Sequence, residues 1–224
     1  MYQKVFKRLL DIFFAVIGLP VLLLIYMFVA PLIKLSDKGP VFYNTKRIGK
    51  DGKLFKMFKF RSMMVNAPDI RLPDGSTYNG KDDPRVTKIG KFLRKTSLDE
   101  SPQIINVLLG DMALIGPRPD PPDWLDKYNE KIKVFLSVRP GITGYSQAYF
   151  RNSADGEEKM KNDAYYALNC SFILDVKIFF KTIAVVIKRE NTYKDTTSEI
   201  LSESITVSAE IDNKEENIGA GINS

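Results

Sequence analysis

From Ile12 to Ile33 the chain runs 22 residues without a charge, bounded by Asp11 and Lys34. As a straight helix this run measures about 33 Å at 1.5 Å per residue, enough to cross a bilayer core of about 30 Å. Gly18 and Pro20 lie inside it. Pro20 lacks an amide hydrogen and its ring presses on the carbonyl four residues back, which predicts a kink between an arm Ile12–Leu19 and an arm Pro20–Ile33. Both flanks are basic, with Lys4, Lys7 and Arg8 before the run and Lys34, Lys38, Lys46 and Arg47 after it. Positive charge marks the cytoplasmic side, so both ends are assigned there and the segment reads as a re-entrant hairpin dipping into one leaflet. A spanning helix and a buried soluble helix are the alternatives. Bulky residues around Ala30 offer no small-x-small cleavage site for a signal peptide.

Beyond the run the polarity pattern shortens. Val41-Phe42-Tyr43 and Leu54 to Phe60 are aromatic-rich segments around Gly49-Lys50-Asp51-Gly52, which predicts strand, turn and strand. Residues 66–85 hold three prolines and four aspartates, too polar and broken for core, and are expected to form a long surface loop. Ile89 to Lys95 reads as a short basic helix, and a second helix ends at Leu109 with Gly110 as its C-cap. Helices are also expected over Lys127–Phe135 and Asp163–Lys188, the latter broken near Asn169-Cys170-Ser171. The pattern gives an α+β fold, mainly helical. A membrane helix occupies residues 1–38, one domain with a β-hairpin and amphipathic surface helices residues 39–190, and an acidic tail residues 191–224.

Composition then narrows the chemistry. There is no histidine, which excludes histidine base catalysis, and the lone Cys170 excludes an intrachain disulfide or a cysteine zinc cluster. A metal site here must use oxygen ligands, which suits magnesium or another hard cation. The net charge of +6 hides an asymmetry: residues 195–224 carry seven acids against one base, leaving +12 on residues 1–194. That excess favours an acidic partner such as phosphates or an anionic membrane surface. A nucleic-acid binder would leave the apolar run unexplained, so nucleic acid is not an expected partner.

Two adjacent carboxylates, Asp99 and Glu100, fall at an expected helix start. Ser97-Leu98-Asp99-Glu100 matches a capping box, in which Ser97 and Glu100 satisfy backbone donors. Pro102 favours Asp99 as the cap instead, since proline is tolerated in the first turn. Neither reading needs catalysis. The surroundings do: Arg94 and Lys95 precede the pair, Arg118 lies in Gly116-Pro117-Arg118-Pro119, and Arg139 opens Arg139-Pro140-Gly141-Ile142-Thr143-Gly144. Cations in such rigid turns suit phosphate, and a carboxylate beside them keeps its charge and can attack phosphorus if a metal screens the repulsion.

Taken in order, Lys7-Arg8-Leu9-Leu10-Asp11, Gly39-Pro40-Val41-Phe42, Phe58-Lys59-Phe60-Arg61-Ser62-Met63, Ser97-Leu98-Asp99-Glu100-Ser101-Pro102-Gln103, the Gly110 to Pro119 segment and the Arg139 to Gly144 turn resemble the bacterial sugar transferase family, specifically its small monotopic polyprenyl-phosphate phosphoglycosyl transferases. The resemblance runs to about Arg189. It implies transfer of a sugar-1-phosphate from a UDP-sugar to undecaprenyl phosphate at the cytoplasmic face of the bacterial plasma membrane, with UMP released. Asp99 would be the nucleophile, Glu100 its assistant, and Mg2+ would sit at Asp99 and Glu100. Arg118 and Arg139 would hold phosphate, joined by Lys59, Arg61, Arg94 and Gln147. Membrane lipid and other glycan-assembly enzymes are the further partners implied. The chain has Leu19-Pro20 where relatives often have Ser-Pro, and its YSQAYFRNS at 145–153 departs from the pattern common after the Gly-Ile-Thr-Gly turn. The competing reading is a membrane-anchored, non-catalytic regulatory or scaffold protein of polysaccharide assembly.

Overall fold

The computed structural model describes residues 2–71, 78, 80, 82–129, 133–150 and 156–188. The acidic tail lies outside the described residues. The apolar run is one 31-residue helix, α1 (Lys7–Asp37), preceded by a wide helical turn at Tyr2–Phe6. It continues through Pro20 and Pro31, so the two expected arms are not separated by a break in the helix. One stripe is buried, at Lys7, Asp11, Ala15, Val29, Ala30 and Ile33. The opposite face, including Phe13, Ile17, Val21, Leu24 and Phe28, is more than half exposed. This is the burial pattern of a helix covered on one side by protein and on the other by something apolar.

Both ends of α1 are fixed to the same body. At its start Lys7 pairs with Asp175 at 2.7 Å, and Asp175 also accepts hydrogen bonds from Tyr2 at 2.5 Å and Tyr166 at 2.7 Å. Asp11 accepts the Leu114 amide at 3.0 Å. At its end Asp37 pairs with the buried Arg61 guanidinium. Midway, Gly18 lies so close to Ile104 that any Cβ would overlap it.

The hairpin forms, displaced along the chain. Strands β1 (Thr45–Ile48) and β2 (Leu54–Met57) pair antiparallel with Thr45 opposite Met57, around a turn where Asp51 and Gly52 have φ of 56° and 74°. The expected first strand at Val41–Tyr43 is instead a single bridge, Phe42 to Phe60. The reason is aromatic packing: Phe42, Tyr26 of α1 and Phe60 form a three-ring cluster, with Phe42 at 5.7 Å from Tyr26 and 5.4 Å from Phe60. The described residues of the expected 66–85 loop form no helix or extended strand, and among them the buried Asp83 and Arg85 pair at 2.7 Å.

Helix α2 (Lys88–Thr96) matches the basic helix, and α3 (Gln103–Leu109) ends at Gly110 with φ of 93°, the left-handed C-cap expected of that glycine. A short parallel pair follows, β3 (Ala113–Ile115) with β4 (Gly141–Thr143), which the sequence pattern did not predict. The helix expected over Lys127–Phe135 is corrected to 3₁₀ segments at Pro122–Lys127 and Lys133–Ser137. Tyr128 takes extended backbone between them, its hydroxyl donating to Asp120 at 2.8 Å and its ring meeting Phe135 edge-on. Helix α4 (Tyr145–Tyr149) is also new, while α5 (Gly156–Asn169) and α6 (Phe172–Lys188) show the break expected near Cys170. The result is mainly helical with two small sheets and one long apolar N-terminal helix.

Candidate active site

Neither capping assignment for the acidic pair holds. Ser97 is the left-handed C-cap of α2, with φ of 56° and its amide bonded to the Arg94 carbonyl, so it is not free to cap α3. Leu98–Glu100 form a separate 3₁₀ turn, and α3 begins after Pro102 with no side-chain cap. Proline supplies no amide to continue the bonding pattern, which divides the segment there. Asp99 is thereby released from a capping role. Its carboxylate is 9% exposed and receives no hydrogen bond from any described residue.

That turn is pinned from the backbone. The Phe60 amide donates to the Asp99 carbonyl at 2.9 Å, bringing Lys59 beside the pair. Asn106, fully buried in α3, accepts the Phe58 amide at 2.9 Å and donates to the Lys56 carbonyl at 2.7 Å, holding the same segment against α3. Lys59 then reaches Glu100 at 2.6 Å, and Arg118 reaches the same Glu100 oxygen at 3.1 Å.

Electrostatics separates the two carboxylates. Burial pushes the Asp99 carboxyl above its ordinary value and the Glu100 charge adds to this, opposed by Lys59, Arg94 and Arg118. Burial also disfavours ionised Glu100, yet Arg118 and Lys59 outweigh it and hold that carboxyl far below the usual range. The Glu100 charge in turn raises the Arg118 pKa. One acid is locked as an anion between two cations. The other is a buried carboxylate with open oxygens, the environment in which perturbed, reactive groups are found.

Arg118 stands on a rigid turn. The Gly116 amide donates to the Thr143 carbonyl at 2.8 Å and the Gly141 amide to the Pro117 carbonyl at 2.9 Å, so the two Gly- and Pro-bounded turns are bonded back to back. Beneath them lies a charge cluster that sequence reasoning missed. Lys159 of α5 bridges Asp120 at 2.9 Å and Asp163 at 3.1 Å, and lies 3.4 Å from the Arg118 carbonyl. Burial raises the Asp163 carboxyl to about 6, with Lys159 opposing.

The structure thus gathers Lys59, Asp99, Glu100 and Arg118. Arg94 stands alongside, donating to Ser62 at 2.9 Å and favouring ionised Asp99. Arg61 is directed elsewhere, to Asp37 and to the carbonyls of Pro40 and Met63. Arg139 donates to the Gly110 carbonyl at 2.8 Å, capping the end of α3 together with Arg8, which binds the Val107 and Leu108 carbonyls. Gln147 donates to the Ile142 carbonyl at 3.2 Å and leaves its buried Oε1 unpartnered.

Among the described residues no group of three or more His, Cys, Asp or Glu side chains is placed to hold a metal ion. The donor set at Asp99 and Glu100 still fits magnesium, which commonly takes one or two carboxylates and completes its shell with water and substrate phosphate. The open oxygens of Asp99 are the available ligands.

The family model described as bacterial sugar transferase matches residues 2–189. Galactosyl transferase CpsE of Streptococcus agalactiae is 44% identical over 189 residues, covering 81% of this chain and 42% of the relative. Undecaprenyl-phosphate galactose phosphotransferase of Salmonella typhimurium is 36% identical over 202 residues, covering 85% of this chain and 41% of the relative. The exopolysaccharide production protein ExoY of Sinorhizobium fredii is 38% identical over 198 residues, covering 84% of this chain and 88% of the relative. The chain thus spans about two-fifths of some relatives and most of others. It belongs to the bacterial sugar transferase family.

Proposed function

We propose that the protein transfers a sugar-1-phosphate from a UDP-sugar to undecaprenyl phosphate, opening the membrane stage of capsule, exopolysaccharide or related glycoconjugate assembly. The observation that carries this reading is the buried Asp99 carboxylate, free of hydrogen bonds among the described residues and set between Lys59, Arg94 and Arg118. A relative named as an undecaprenyl-phosphate galactose phosphotransferase and another named as an N-acetylgalactosaminephosphotransferase acting on undecaprenyl phosphate support the substrate class.

In this mechanism an Asp99 oxygen attacks the sugar-bearing phosphorus of the donor. The new carboxylate–phosphorus bond forms as the bond to the bridging oxygen breaks, and UMP leaves with that oxygen. An oxygen of undecaprenyl phosphate then attacks the same phosphorus, forming the diphosphate and returning Asp99 as a carboxylate. Lys59 and Arg118 hold Glu100 ionised and stabilise charge on the transferring phosphoryl group. Asp99 and Glu100 would hold Mg2+, whose chemistry is to screen the repulsion between nucleophile and phosphate.

The reaction needs the site at the headgroups. The exposed apolar face of α1 enters one leaflet, and its two ends, fixed to the same body by Lys7–Asp175 and Asp37–Arg61, keep that body on the cytoplasmic side. The apolar residues Phe172, Ile173, Phe179, Phe180 and Ile187 of α6 are exposed as well and rest on the same surface.

The test is a UMP-release assay with undecaprenyl phosphate, magnesium and a panel of UDP-sugars, run on wild type and Asp99→Asn. Wild type should release UMP and exchange labelled UMP into UDP-sugar without lipid acceptor, and the variant should do neither while staying folded and membrane-bound. Near-wild-type turnover by Asp99→Asn refutes the nucleophile. Exchange that strictly requires the acceptor refutes the covalent step.

A further inference from the structure

Strand β1 carries a guanidinium without a partner among the described residues. Among the described arginines, Arg8 and Arg139 donate to carbonyls at the end of α3, Arg61 and Arg85 sit on Asp37 and Asp83, Arg71 on Asp69, Arg94 on Ser62 and Arg118 on Glu100. Arg47, half-buried, makes no hydrogen bond or ion pair with any described residue. An arginine that loses hydration without gaining an acceptor is costly, so a persistent one calls for an anion that arrives from outside.

Its place in the fold says which anion. Arg47 sits opposite Phe55 in the hairpin, one residue before Ile48, whose amide donates to the Asp120 carbonyl at 2.9 Å. That bond sets the end of β1 against the segment carrying Arg118, whose guanidinium is 44% exposed and reaches Glu100. Burial lowers the Arg47 pKa and the Arg118 charge lowers it further, with Asp120 and Tyr43 opposing. The carboxylates nearby are already engaged, Glu100 by Lys59 and Arg118, Asp120 by Tyr128 and Lys159. Arg47 and Arg118 thus stand on adjoining segments, close enough for their charges to interact, and a pair of guanidinia offers planar sets of N–H donors suited to phosphoryl oxygens.

We propose that Arg47 binds a substrate phosphoryl group alongside Arg118, as the second arm of a two-guanidinium clamp. This rests on the transferase reading above, in which both substrates carry phosphate: the diphosphate of the sugar nucleotide and the phosphate of the lipid acceptor.

The test uses the full chain in lipid nanodiscs, as wild type, Arg47→Gln and Arg47→Lys. Calorimetry measures binding of UDP, uridine and inorganic pyrophosphate, and the UMP-release assay measures KM for UDP-sugar and for undecaprenyl phosphate. Arg47→Gln should weaken one phosphate-bearing substrate by about 10- to 100-fold, the range of a lost charge-assisted contact. Arg47→Lys should recover part of this, since it restores the charge without the fork. Weaker UDP and pyrophosphate binding with uridine unchanged assigns the clamp to the donor, whereas a raised KM for undecaprenyl phosphate with UDP binding unchanged assigns it to the acceptor. Unchanged binding and unchanged KM values in both variants overturn the proposal, as does a fall in kcat alone. The calorimetric arm needs no turnover, so a wild type that binds UDP yet releases no UMP refutes the transferase reading and still decides the role of Arg47. A wild type that binds neither UDP nor pyrophosphate overturns both.

Discussion

Asp99 and Glu100 are adjacent acids with proton affinities pushed in opposite directions, and two substitutions should move that of Asp99, the proposed nucleophile, in opposite directions. If ionised Asp99 is the nucleophile, the acid limb of kcat/KM against pH reports its protonation. Lys59→Met removes the cation that most favours ionised Asp99, so the limb moves to higher pH. Glu100→Gln removes a neighbouring anion that disfavours it and frees Lys59 and Arg118 from their shared carboxylate, so the limb moves to lower pH. A unit charge about 6 Å away at an effective dielectric of about 20 is worth about 3 kcal/mol, or about 2 pKa units. Lys59 already shares its charge with Glu100 at 2.6 Å and is 18% exposed, so the shared carboxylate and solvent screening hold the movement below that ceiling in both variants.

The assay is kcat/KM for UMP release between about pH 5 and 8, with 13C shifts of labelled aspartate for any variant too slow to titrate kinetically. Limbs that shift in the same direction, or that do not move although both variants turn over, refute the assignment of Asp99 as the titrating nucleophile. The opposite signs are the strength of the test, because general destabilisation would move both variants the same way.

Asp163 offers a stability prediction. Its native carboxyl is raised by burial to about 6 from 3.8, so the folded state binds the proton more tightly, and the associated stability is full below about pH 4 and lost as pH rises to about 6. A shift of about 2 units corresponds to about 3 kcal/mol, and Asp163→Asn should flatten denaturant-derived stability against pH in that window relative to wild type; parallel curves would count against it. At Gly18, leucine should cost about 1–3 kcal/mol by overpacking against Ile104, with Ile104→Ala restoring part of the loss in a double-mutant cycle, and strict additivity would show that the helices do not meet there.

What the sequence made legible was local. An uncharged run of 22 residues, a glycine after Leu109 and a break near Cys170 each carry their own signal, and each element is where that signal put it. The capping box at Ser97–Glu100 misled because its outcome depends on a long-range bond, Phe60 to Asp99, and on Pro102 dividing the turn. The basic motifs showed where cations lie but not what they touch: Arg61 bonds Asp37, Arg139 the Gly110 carbonyl and Arg118 Glu100. The Lys159–Asp120 pair joins residues from separate elements, and Arg47 is notable for a missing partner, so no spacing rule could mark either. Asn106 left one trace, a polar side chain inside the apolar run Ile104–Leu109.

Helix α3 explains why one short element matters to both membrane and chemistry. Its Val107 packs against Ala15 and its Ile104 against Gly18, so α1 cannot slide along it without opening the buried stripe. Its C-terminal carbonyls are held by Arg8, at the start of α1. At its other end the chain passes through Pro102 directly into the turn bearing Asp99 and Glu100. Seven residues of helix span about 10 Å, a distance over which packed backbone is stiff. On the proposed topology, the depth at which α1 sits in the leaflet therefore sets the height of the nucleophile above the headgroups. A soluble donor can approach Asp99 from water, but a lipid phosphate confined to one plane is reachable only when that height is fixed. On that topology the close contact at Gly18 and the ion-paired anchors at Lys7 and Asp37 set the catalytic geometry without touching substrate.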